Sequence, residues 1–139
     1  MCRLYAFRSN LPHDVRADLL DHRNSLKVLS HAHCDGWGVA TWDGVRGPNV
    51  VRGVAAAHAD PDFVRAASPG PSSQLFAHVR QASVGSVLLE NVHPFVRGPW
   101  VFMHNGTLTD FAVHQAALER PIGADLFATI GSTTDSERC

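Results

Sequence analysis

The chain has 139 residues, 45% of them hydrophobic and 18% charged, a balance that suits one folded domain and excludes the highly charged, apolar-poor make-up of a disordered segment. Twelve Lys and Arg against 13 Asp and Glu give a formal net charge of -1, which leaves no basic field for a nucleic-acid backbone or an anionic membrane. No apolar run reaches the roughly 18 residues of a membrane span.

Residues 3 to 8, RLYAFR, alternate in polarity and predict a strand almost at the N-terminus. Asn10 and Pro12 are expected to break it. Val15, Leu19, Leu20, Leu26, Val28 and Leu29 recur at mostly helical intervals and predict one or two helices over 13–30, with Asn24-Ser25 as an interruption. GWGVATW at 36–42 and PNVVRGVA at 48–55 predict two strands joined as a hairpin around Asp43-Gly44. Asp60 before Pro61 predicts a helix start, because a proline at the first helical position loses no useful N–H, and the helix should end near Ser68-Pro69-Gly70.

QLFAHVR at 74–80 and WVFMHNG at 100–106 read as two further strands. Leu108, Val113, Ala117 and Leu118 suggest a helix after the Asn105-Gly106 turn, with Asp110 near its first turn, where a negative charge suits the dipole. Thr134-Asp135-Ser136-Glu137 has the spacing of a capping box with Thr134 as N-cap. A helix is expected to start there, and because only two residues follow, the sequence is expected to be truncated at its C-terminus. No repeat or low-complexity segment marks a second domain, so residues 1–139 read as one domain of mixed α+β class.

The first ten residues, MCRLYAFRSN, lack the apolar stretch of a secretory signal, and three cysteines, Cys2, Cys34 and Cys139, form no paired framework. Both features predict a cytoplasmic protein with free thiols. Cys2 directly follows the initiator methionine, and its small side chain favours removal of Met1, which would make Cys2 the first residue. Its own α-amino group, with an ordinary pKa near 7.7–8.0, can then take the thiol proton without a separate histidine. The alternative from the residues alone is a small apolar side chain at the start of a strand.

Further motifs follow in order: DGWGVA at 35–40, HVRQASVG at 78–85, NVHPF at 91–95, HNGTL at 104–108 and STTDSE at 132–137. Together with the Cys2 start, this series resembles the class-II glutamine amidotransferases, a branch of the N-terminal-nucleophile hydrolases. It is most similar to the stand-alone branch that includes the γ-glutamyl hydrolase of ergothioneine biosynthesis.

The resemblance implies an αββα four-layer sandwich, of which this chain would be the N-terminal portion. It implies Cys2 as nucleophile and Asn105 and Gly106 as the oxyanion hole. It implies Arg80 and Asp135 as the groups that bind the substrate's α-carboxylate and α-amino group. The chemistry is apt: a guanidinium meets a carboxylate with two parallel hydrogen bonds, and an amide N–H stabilises developing oxyanion charge. The residues alone also allow a solvated Arg80 at a strand end, a tight turn at Asn105-Gly106 and a helix-terminal charge at Asp135.

Gly36, Trp37 and Gly38 are expected to be architectural, letting backbones pack beside the nucleophile strand, and His78, Asn91, His93 and His104 to support the site. Gln81 and Val84 depart from the Trp and His of the sugar-phosphate synthase branch, so that branch's contacts there are not carried over. Cys34 stands where a loop residue such as Pro is more usual. His31, His33 and Cys34, with His22 upstream, lack the second ligand pair of a zinc site, and no metal or organic cofactor is implied.

The expected partner is a small-molecule γ-glutamyl substrate, glutamine or an analogue, with an ammonia-accepting partner protein as a second possibility and neither nucleic acid nor membrane. The rival expectation is a truncated, catalytically inactive fragment of such a domain, its strand edges and apolar faces uncovered.

Overall fold

The computed structural model describes residues 1–42 and 46–139, so the expected Asp43-Gly44 turn lies outside the described residues. Strands β1 (Arg3–His13), β2 (Trp37–Trp42), β3 (Pro48–Gly53) and β4 (Ser72–Val79) form an antiparallel sheet in the order β1-β4-β2-β3. Strands β5 (Phe95–Arg97) and β6 (Trp100–Phe102) pair separately as a two-stranded antiparallel ribbon. Mixed helix and sheet is therefore the observed class.

Side-chain parity organises the molecule. Successive residues of a strand face opposite sides of the sheet, and on β4 the odd positions Leu75, Ala77 and Val79 are wholly buried. Across the ladders they meet Phe7, Tyr5 and Arg3 on β1, and Ala77 and Val79 meet Val39 and Trp37 on β2. This face packs Trp37, Val39, Leu75, Ala77 and Val79 against Val15, Leu19, Leu26, Phe63 and Ala67.

The second group comes from a π-type turn at Ala17–Asp21, helix α1 (Leu26–Leu29) and helix α2 (Pro61–Ala66), with the loop residues that flank them. The expected 13–30 helical region is thus two short pieces, and the expected interruption is a cap: the Ser25 hydroxyl accepts from the Val28 N–H at 3.3 Å. Asp60 starts α2 as expected, one carboxylate oxygen accepting from the Asp62 N–H at 2.9 Å and the other from the Trp37 indole at 2.8 Å. One residue thereby caps a helix and satisfies a buried donor on the sheet.

Several expectations are corrected. Strand β1 runs through Asn10 and Pro12 to His13, with a register shift between Arg8 and His13. It is an edge strand, where proline is tolerated because one side of the backbone has no ladder to lose. Strand β6 ends at Phe102, not 106, and β5 and the short helix α4 (Ala124–Phe127) were not foreseen.

Helix α3 (Phe111–Glu119) follows Asp110, which sits in the left-handed region at φ 54° and makes no side-chain cap. The capping box at 134–137 does not form. Glu137 instead accepts from the Ser132 and Gly131 N–H groups at 2.5 and 3.0 Å and pairs with Arg97 at 2.5 Å, leaving a single 3₁₀ turn at Ser136–Arg138. A guanidinium and two amides outcompete the single N–H that the box would have offered.

Among the described residues no helix is long and apolar enough to cross a membrane.

Candidate active site

The β1/β4 register pairs Arg3 with Val79 and Leu4 with His78. Continued by one residue, it sets Cys2 opposite Arg80, on the sheet face turned away from the helical core. The Cys2 thiol lies against the main chain just past β4, donating to the Gln81 carbonyl at 3.5 Å and accepting from the Gln81 N–H at 3.4 Å. Met1 is 78% exposed, so its removal would strip no core residue. Its ammonium donates to Gln81 Oε1 at 2.7 Å.

Arg80 is buried to 3% exposure. Its terminal nitrogens donate to the carbonyls of Val84, Gly85 and Ser86 at 2.9, 3.2 and 3.1 Å, so the guanidinium organises the loop that follows β4. Burial draws its pKa below the ordinary arginine value, while the nearby Cys2 and Asp35 oppose the shift. A substrate carboxylate at this site would have to share a guanidinium that already serves three carbonyls, a commitment absent from the simple two-pronged picture.

Asp135 is buried to 2% exposure. One carboxylate oxygen accepts from the Leu108 N–H at 2.6 Å and the other from the Ser136 hydroxyl at 3.4 Å. A carboxylate has about four acceptor positions, so lone pairs remain for a substrate ammonium.

The loop carrying Arg80's acceptors is tied to the Asp135 segment through Asn91. The Asn91 amide donates to the Ser86 carbonyl at 2.9 Å and the Thr133 hydroxyl at 3.1 Å, and its oxygen accepts from the Thr133 N–H at 2.9 Å. This residue was expected only in a general supporting role.

Asn105 and Gly106 do not form a hairpin turn, since the chain runs from β6 into an irregular stretch that leads to α3. The Asn105 amide donates to the Cys2 carbonyl at 3.1 Å, so one of its two N–H groups is already in use. Gly106 lies close to a ring: a Cβ built there would come 2.7 Å from Nε2 of His104. His104 is held in turn by a 3.0 Å contact from Nδ1 to the Ser136 hydroxyl.

Beneath the cleft, His93 Nδ1 meets His78 Nε2 at 3.1 Å. Burial is the main reason that the pKa falls to about 2 for His78 and to about 4 for His93, so both rings are neutral at pH 7. Gly38 is not beside the nucleophile strand, which corrects the expectation from sequence: β4 separates it from β1, and it serves the histidine layer, where a Cβ on it would fall 2.0 Å from the His93 carbonyl oxygen. The His31-to-Cys34 run does not converge. His31 stacks on His58 with centroids 3.8 Å apart, His33 is buried, and Cys34 is exposed beside Asp35.

Cys2, Arg80, Gly106 and Asp135 thus line one cleft with His93 and His104, and Asn105 reaches the Cys2 backbone beside it. The free space among them is narrow, about 20 Å³, close to what one water needs. Three more residues line the cleft: Gln81, read in the sequence only as a departure from the synthase branch, Thr134, read there as a helix N-cap, and Ser83, which was not singled out. The HVRQAS segment gave no signal for Gln81 and Ser83, which follow β4 on irregular backbone, and Thr134 lies on irregular backbone before the Ser136–Arg138 turn.

The family model for class-II glutamine amidotransferases matches residues 1–138. A Haemophilus influenzae protein named as a candidate glutamine amidotransferase is 34% identical, the match covering 89% of this chain and 43% of that protein. A similarly named Escherichia coli K12 protein, YafJ, is 31% identical, covering 99% and 52%. The chain therefore spans about half the length of the curated relatives it matches. A solved class-II glutamine aminotransferase domain protein from Silicibacter pomeroyi superimposes with a TM-score of 0.67 at 23% identity, covering 99% of this chain and 51% of that one. That last likeness is one of fold.

Proposed function

This chain belongs to the class-II glutamine amidotransferases, and on that premise we propose that it carries the nucleophile-bearing part of a cytoplasmic hydrolase that cleaves a γ-glutamyl amide through a thioester on Cys2. In this reading residues 1–139 are the N-terminal part of a type-2 amidotransferase domain, and the four-stranded sheet with its helices forms two layers of an αββα sandwich.

The observation that carries the proposal is the convergence of Cys2, Arg80, Gly106 and Asp135 on one cleft from four separate stretches of chain. With Met1 removed, the Cys2 amine takes the thiol proton and the thiolate attacks the γ-carbonyl carbon. Asn105 Nδ2 and the Gly106 N–H donate to the resulting oxyanion. Collapse breaks the C–N bond, the ammonium of Cys2 protonates the departing nitrogen, and ammonia or an amine leaves. Water, losing a proton to the same amine, then attacks the thioester, expelling the thiolate and releasing glutamate. Arg80 and Asp135 hold the two charges of the amino-acid head, as the resemblance in sequence implies.

A catalytically silent fold is the second reading, favoured by the narrowness of the cleft and by the three carbonyls that already occupy Arg80. The deciding experiment incubates the protein with glutamine, quenches in acid and measures intact mass. A chain starting at Cys2 and carrying one glutamyl group, absent in Cys2→Ala, supports the hydrolase. Glutamate release at an undiminished rate by Cys2→Ala, or none by the protein that retains Cys2, overturns it.

A further inference from the structure

We infer that Gln81 is the positioning residue for the N-terminal amine, its side-chain carbonyl seating the group that accepts the Cys2 proton. The inference rests on the hydrolase reading above and goes beyond it, since that reading assigns Gln81 no part.

Three contacts at the chain start involve Gln81. Its main-chain N–H and carbonyl bracket the Cys2 thiol at 3.4 and 3.5 Å, and its side-chain oxygen accepts from the terminal ammonium at 2.7 Å. A bond from a charged donor at that length is of the strong, charge-assisted kind. Gln81 therefore touches the thiol through its main chain and, through its side chain, the amine that precedes Cys2, which here belongs to Met1. Removal of Met1 moves the amine back by one residue, about 3.8 Å in Cα spacing. The Gln81 main chain already touches the Cys2 thiol, and a side chain with three rotatable bonds can follow the amine over that distance.

The other groups facing this amine make a neutral acceptor meaningful. Arg3 on β1 donates to the carbonyls of Met1 and Cys2 at 3.1 and 2.9 Å, fixing the peptide and adding positive charge. Arg80 stands at the end of β4, with the Cys2 thiol and Asp35 within its field. The Asp35 carboxylate is engaged by the Ala82 N–H at 2.8 Å. His33, buried to 5% exposure, approaches from the loop before β2, and its Nδ1 has no partner among the described residues. Burial first, then Arg3 and the terminal ammonium, lower its pKa, while the Gln81 side chain opposes the shift.

Two guanidiniums, Arg3 and Arg80, thus lie near Cys2. Gln81 holds the amine in place by a dipole without adding a negative charge that would keep it protonated. A carboxylate at position 81 would raise the amine pKa, and an apolar side chain would release the amine and lower it.

The test is the pH profile of kcat/KM for glutamine hydrolysis by the mature protein, whose acid limb reports deprotonation of the base in the free enzyme. Gln81→Leu should move that limb to lower pH and reduce kcat roughly 10- to 100-fold, no more than the low end of acid–base contributions because the amine itself remains. Gln81→Glu should move it to higher pH by about one unit, and Gln81→Asn should recover part of the wild-type profile. A merely structural role would lower activity without opposite displacements of the limb. Displacement in the same direction, or none in either variant, overturns the inference. Where Gln81→Leu fails to fold, the nearly isosteric Gln81→Glu decides by its upward shift alone. Cys2→Ala separates the two claims: retained turnover removes the hydrolase reading itself, whereas loss of turnover with unmoved limbs in the Gln81 variants removes only this inference.

Discussion

The side chain of Asn105 donates to the backbone carbonyl of Cys2 at 3.1 Å across 103 positions of sequence. This bond locates the segment after β6 relative to the chain start, and it leaves one amide N–H of Asn105 for a developing oxyanion.

Replacement of Asn105 by alanine is therefore expected to lower kcat by roughly 10²- to 10³-fold, the scale of one lost oxyanion donor. Steady-state kinetics on glutamine give the answer. A change confined to KM would show instead that Asn105 only fastens the loop to Cys2.

Asn91 is 1% exposed and joins the Ser86 carbonyl to Thr133. Asn91→Ala removes these bonds, but Ser86 and Thr133 are exposed and the Ser86 carbonyl keeps its Arg80 donor, so the cost in stability is roughly 1 kcal/mol. The same change frees the loop that Arg80 holds from the segment that carries Asp135, so KM for a γ-glutamyl substrate should rise more than kcat falls. Urea unfolding and the KM-against-kcat split test the two halves of this prediction. A stable variant with unaltered KM would show that the two segments are placed independently.

The buried His78–His93 pair sets a pH dependence. His93 has its pKa lowered from 6.5 to about 4 by burial, and His78 is lowered further. Between those values the unfolded chain binds more protons than the folded one, so stability rises with pH. The contribution is fully present above pH 6.5 and is lost as pH falls toward 4, His93 alone accounting for about 3 kcal/mol. Chemical denaturation at pH 7, 6, 5 and 4 should show this slope, and His93→Gln should flatten it. A midpoint that does not move across the interval would place neither imidazole in a buried, neutral state.

Sequence by itself determined the elements whose signals are local. The Asp60-Pro61 start, the Ser25 interruption and the strands β2 and β4 all hold, because a cap, a fixed proline φ and a β-forming run bounded by turn residues act within a few positions. The motif series also named residues that come to line one cleft, although nothing in their spacing showed how Arg80 and Asp135 meet.

Tertiary structure decided the rest, through partners distant in sequence. Pro12 stays in a strand because β1 lies at an edge of the sheet. Glu137 abandons its capping box because Arg97, 40 residues away, presents a stronger donor. Arg80 is committed to the 84–86 loop, and Gln81 meets the terminal amine only because β1 pairs with β4. Such contacts depend on which charged and polar groups are brought within about 3 Å once apolar faces are buried, and a one-dimensional pattern holds no record of that choice.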